Sequence, residues 1–130
     1  MLTASQCCDI KAALGIYPID ALALTDSQFD SQLKLIEKNH PLAIGEVGLD
    51  YHQILQESGF GENREKSKGF LTCIKEDEKD HEKQIENFKK FIKLSQKLDI
   101  PIIVHSRKAE AQAIEILESA KAKKVIMHYF

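Results

Sequence analysis

The stretch Pro41–His52, PLAIGEVGLDYH, decides the fold. Leu42, Ala43, Ile44, Val47 and Leu49 make an apolar run of strand length, here taken as Leu42 to Leu49. Glu46 stands inside that run, and Asp50, Tyr51 and His52 follow it directly. Burying a carboxylate costs on the order of several kcal/mol unless it is paired, hydrogen-bonded or bound to a metal. The strand therefore poses a question about what meets Glu46. A salt bridge, a few backbone N–H groups, or a metal ion at the mouth of a parallel sheet would each answer it.

Working outward, the segment before this strand holds one more strand and one helix. Lys11–Pro18, KAALGIYP, reads as a short buried strand running into a loop at the proline. Thr25 and Gln28 have the spacing of a capping box, and Phe29, Leu33 and Ile36 follow at helical period up to a stop at Asn39. Downstream, Gln53–Asp80 is rich in Glu, Lys and Gly and shows no sustained period. It reads as a long charged loop insertion with at most a short helical piece. The helical period returns from His81 to Leu98 in Ile85, Phe88, Phe91, Ile92, Ser95 and Leu98, and Asp99-Ile100-Pro101 ends it. Ile102–His105 is a short β-branched strand. Ala109, Ala113, Ile116, Leu117 and Ala120 form another helical stripe, with Lys121, Lys123 and Lys124 at its C-terminal end, where positive charge suits the helix dipole. Val125–Phe130 is the fourth strand. Strand and helix alternate throughout, which predicts an α/β fold with a parallel sheet and right-handed crossovers.

Composition narrows the function classes. Hydrophobic residues make up 43% and charged residues 29% of the 130 positions, which fits one globular α/β domain with a real core and not a disordered chain. The net charge of −2 provides no polycationic footprint, so contact with nucleic acid would depend on a local patch or on metal ions. No apolar run approaches the ~18 residues of a membrane span, and the N-terminus lacks the pattern of a signal peptide. Cys7, Cys8 and Cys73 form neither a disulfide framework nor a zinc-site spacing; they are expected as reduced thiols in a cytoplasmic protein.

Side chains alternate along a strand, so parity sorts them by face. Ile44, Glu46 and Gly48 share a face of the second strand, Ile103 and His105 one of the third, and Ile126, His128 and Phe130 one of the fourth. Parallel neighbours lie ~4.8 Å apart, which brings Glu46, His105 and His128 within reach of a common ion. A carboxylate with two imidazoles suits Zn, Mn, Co or Mg as divalent ions. One histidine at a strand end is ordinarily a hydrogen-bonded core residue. Three such groups near the carboxyl ends of successive strands mark the edge where parallel α/β proteins place their active sites.

The blocks AIGEVGLDYH (43–52), PIIVHSRKAEAQAIEIL (101–117), VIMHYF (125–130) and GIYPIDA (15–21) resemble the TatD family of metal-dependent hydrolases in order and spacing. That resemblance implies a (β/α)₈ TIM barrel with its metal site at the C-terminal face and a deoxyribonuclease or related phosphodiesterase activity, with nucleic acid as substrate. It implies that Glu46 bridges two divalent ions and that His105 and His128 are metal ligands. Metal-assisted hydrolysis would follow, with a metal-activated water and clamped phosphate oxygens. Arg107 would neutralise a phosphate, or else be a surface charge paired with Glu110. Asp50 would hold a ligand in place, or else cap a turn. His52 would line the cleft.

The chain also departs from the family pattern. No His-x-His pair precedes Lys11, and the last-strand aspartate would lie beyond Phe130. Tyr17 stands where the family usually has histidine, and Tyr129 where cysteine is common. A complete barrel takes about 250 residues. The expectation is a partial barrel of about four parallel strands: one incomplete hydrolase domain over 1–130, weakly active or inactive alone. Its open edges would leave apolar surface uncovered. A non-catalytic open α/β module that binds a partner or dimerises is the alternative, with the oligomeric state undetermined.

Overall fold

The structure, a computed structural model, describes residues 10–51 and 66–128, with only the helical backbone described for 66–77. His52, Tyr129, Phe130, Cys7, Cys8 and the part of the expected loop over 53–65 lie outside the described residues. The elements run β1 (Ala13–Leu14), α1 (Pro18–Ala21), α2 (Asp26–Lys38), β2 (Ala43–Asp50), α3 (Lys66–Leu98), β3 (Ile102–Arg107), α4 (Glu110–Ser119) and β4 (Val125–His128). The strands form a four-stranded sheet in the order β1-β2-β3-β4, each pair parallel. This is the consecutive strand order of a (β/α)₈ barrel wall.

Local chemistry accounts for the element ends. At α2 the Thr25 hydroxyl accepts from the Gln28 N–H at 3.2 Å, and the Gln28 side chain accepts from the Thr25 N–H at 2.9 Å. This is the reciprocal capping box that the spacing predicts. Asn39 closes the helix, its side chain donating to Leu35 O at 2.7 Å. Pro18 opens α1 at a position where a missing N–H costs nothing, so the segment after β1 turns into a short helix where a loop was expected.

The expected loop over Gln53–Asp80 is corrected in its second half. α3 begins at Lys66 rather than near His81 and runs unbroken to Leu98. Phe70, Leu71 and Ile74 make one short apolar cluster that is not sustained to His81, while the Lys and Glu residues of 75–79 are strong helix formers that carry no apolar period. At its far end α3 packs on the sheet with Phe88, Phe91 and Ile92, each about 1% exposed.

The two faces of the sheet differ. Val47, Leu49, Ile102 and Val104 are wholly buried with Phe29 of α2, the α3 phenylalanines, and Ala113, Ile116 and Leu117 of α4. The other face carries Ile103, His105 and Arg107 of β3 and Ile126 and His128 of β4, and burial alternates along β3 accordingly. β4 is half-exposed, with Ile126 at 51%. Its uncovered apolar surface matches the open sheet edge that a partial barrel predicts.

Candidate metal centre

The site is built at the carboxyl edge of β2, β3 and β4. Register pairs Gly48 with His105 and His105 with His128, and Asp50 with Arg107. Partners in a parallel ladder face the same way, so His105 and His128 are adjacent on the open face, with Glu46 two residues before Gly48. Close approach makes glycine necessary at 48: φ is +140°, and a Cβ there would lie 2.1 Å from the His105 carbonyl oxygen. The ladder shifts register between Ile44 and Val47, beside Glu46, so Ile44, wholly buried opposite Ile102, lies on the sealed face and not, as alternation predicts, on that of Glu46.

The three residues that parity selects do come together. His105 Nδ1 lies 2.9 Å from Glu46 Oε1, and His128 Nε2 lies 3.9 Å from the same oxygen. Two imidazoles therefore meet Glu46, each turning one nitrogen to its carboxylate. The premise that Glu46 is buried is corrected: its side chain is 36% exposed, because it points to the uncovered face. The buried carboxylate is Asp50, at 3%. Asp50 sits behind His105, with Oδ2 3.0 Å from Nε2, so its carboxylate can orient the imidazole.

Two further residues join this network, and neither is a site residue in the sequence reading. The Tyr17 hydroxyl donates to Asp50 Oδ2 and lies 3.1 Å from His105 Nε2. Burial, reinforced by the Asp50 carboxylate, pushes the Tyr17 phenol above its ordinary range, so the hydroxyl stays protonated and able to donate. Gln84 of α3, 2% exposed, accepts from the Asp50 N–H at 2.7 Å and donates to the Asp50 carbonyl at 2.9 Å. The only sign of Gln84 in the sequence is a polar residue on the buried side of a helix, and its partner is remote in the chain.

β3 continues through Arg107, which puts Arg107 on the face of His105. Its charge acts on the Tyr17 phenol, while Glu110 accepts from the Lys108 main-chain N–H at 3.2 Å. Beside the site, Tyr51 stacks on His81 of α3 at 3.7 Å and donates to Gln112 Oε1 at 2.5 Å.

Donor bookkeeping tests whether these residues suit a metal ion. A neutral imidazole has one N–H. If the Tyr17 proton and the His105 Nε2–H both go to Asp50, Nδ1 turns a lone pair on Glu46 Oε1 at 2.9 Å. Two electron pairs facing at that distance call for a positive charge, either a proton or a metal ion. One carboxylate and two imidazoles form a donor set for divalent transition ions, so the chemistry fits. Among the described residues no group of three or more His, Cys, Asp or Glu is preassembled as a metal shell.

The sequence profile described as TatD related DNase matches residues 2–130. The chain belongs to the TatD-related DNase family. It is 32% identical over 126 residues to deoxyribonuclease TATDN3 of Homo sapiens, covering 95% of this chain and 39% of that protein. It is 33% identical over 123 residues to the uncharacterized metal-dependent hydrolase YabD of Bacillus subtilis (strain 168), covering 93% of this chain and 39% of that protein. The crystal structure of YJJV, a TatD homolog from Escherichia coli K12, superposes with a TM-score of 0.64 at 24% identity, covering 92% of this chain and 39% of that one. The TatD chain described here thus spans about 39% of the length of these relatives. Its sheet and flanking helices form part of a TatD-type TIM barrel.

Proposed function

We propose that this chain carries part of the catalytic centre of a metal-dependent hydrolase that cleaves phosphodiester bonds in DNA or a related nucleic acid. The observation that supports this most is the convergence of His105 Nδ1 and His128 Nε2 on Glu46 Oε1 at the carboxyl edge of the sheet. The names of the relatives, a deoxyribonuclease and a metal-dependent hydrolase, agree with it. Glu46, His105 and His128 would hold one or two divalent ions, Zn, Mn, Co or Mg. A bound ion would supply an activated water and polarise the phosphate. Asp50 orients His105 so that Nδ1 faces Glu46. Arg107, at the end of β3 on the same face, offers a bidentate contact to a phosphate that lysine cannot copy. The span supplies one carboxylate and two imidazoles toward the ions, so activity of the 130 residues alone is expected to be weak.

The test is hydrolysis of DNA and of a simple phosphodiester by the purified chain with Mn²⁺ or Zn²⁺. Cleavage that needs the ion, and is lost both with chelator and in Glu46→Ala, agrees with the proposal. Cleavage that persists in either condition contradicts it, as does absence of both cleavage and metal uptake.

A further inference from the structure

We infer that Tyr17 is a positioning residue that fixes the tautomer and orientation of His105 through Asp50. The inference rests on the metal-centre proposal for its consequence and on hydrogen bonding alone for its content. Tyr17 is the N-cap residue of α1, yet its side chain makes no capping hydrogen bond. Pro18 fixes the chain direction behind it, and the side chain reaches across to β2 and β3 instead. The ring lies against the His105 imidazole, with centroids 4.9 Å apart and planes tilted by 55°.

The hydroxyl has one proton, and the bond to Asp50 Oδ2 takes it. The Tyr17 oxygen therefore turns a lone pair toward His105 Nε2 at 3.1 Å. Asp50 Oδ2 offers a second acceptor to that nitrogen at 3.0 Å. Both neighbours of Nε2 accept, so the network assigns a proton to Nε2; the Nδ1 lone pair then faces Glu46 Oε1, where a proton on the carboxyl group or a metal ion would meet it. Gln84 fixes the Asp50 backbone, and Tyr17 fixes the position of its carboxylate. Phenylalanine at 17 would keep the ring contact and remove the tautomer control.

The experiment compares wild type and Tyr17→Phe as full chains, first without metal. Long-range ¹H–¹⁵N NMR of the imidazoles, assigned with His105→Gln, reads the tautomer. Wild type is expected to hold His105 as the Nε2–H form, and Tyr17→Phe to show a mixture. Zn²⁺ affinity, measured by competition with a chromophoric chelator, is expected to fall about 10–100-fold, the range for loss of a ligand-orienting partner. An unchanged tautomer in Tyr17→Phe overturns the inference, and so does a lowered melting temperature with no tautomer change, which marks a purely structural role. If wild type takes up no Zn²⁺, the metal proposal fails while the NMR arm still decides the role of Tyr17. Should Tyr17→Phe not fold, Asp50→Asn serves instead: its amide can donate to Nε2, and the Nδ1–H form is then expected to dominate.

Discussion

Gln84 shows how a single side chain can stand in for a strand. Tyr51 N–H bonds the Arg107 carbonyl at 3.0 Å, so the alternating Asp50 main-chain groups point away from β3. β1 pairs only with Ala43 and Ile44 and does not reach that far. Gln84 fills the gap with one acceptor and one donor, as a neighbouring strand would. Gln84→Leu keeps the volume and leaves both Asp50 groups unpaired, which costs about 1–3 kcal/mol for each buried group. Urea unfolding should show a loss of at least about 2 kcal/mol; a wild-type midpoint would mean that Asp50 finds another partner. At this scale the sequence exposes Glu46, His105 and His128, because strand parity is strictly local. Tyr17 and Gln84 are not legible in the same way. Each meets Asp50 from more than thirty positions away, and the pairing exists only once α1 and α3 are docked.

Between elements, α2 and α3 are joined by an apolar contact edged with charge. Phe29 meets Phe91 edge-on at 5.3 Å, and Lys90 lies 5.4 Å above the Phe29 ring. Lys90 pairs with Asp30 at 3.1 Å, Lys97 with Glu37 at 2.7 Å, and Lys83 with Asp26. The hydrogen bond from Lys83 holds the Asp26 carboxyl below its ordinary value of 3.8. A lowered folded-state pKa stabilises the fold above the unfolded value, and that contribution is lost as pH falls through the folded value. The stability difference between wild type and Asp26→Asn should therefore be constant between about pH 5 and pH 7 and vanish in stronger acid. A difference that grows on acidification would contradict this pairing. The capping box of α2 is legible in the sequence because its partners lie three residues apart. The N-terminal part of α3 is not, since its one apolar cluster, Phe70, Leu71 and Ile74, is followed by the charged run 75–80, which breaks the period.

For the whole molecule, one face of the sheet is sealed by helices and the other carries all the proposed chemistry. The alternation of strand and helix made the parallel sheet readable, and the matched blocks made the barrel family readable. Burial of individual groups was harder to foresee. Glu46 belongs to the uncovered face and is half-exposed, whereas Asp50 is enclosed by Tyr17, His105 and Gln84. Ile126 stays 51% exposed on the same face, and the chain spans about 39% of its TatD relatives. The central claim is that Glu46, His105 and His128 form one metal-binding edge. Anomalous diffraction from crystals of the chain soaked in Zn²⁺ tests it most directly. A peak bounded by Glu46 Oε1, His105 Nδ1 and His128 Nε2 is the predicted result. Bound zinc at other residues, with no peak among those three atoms, would contradict the claim.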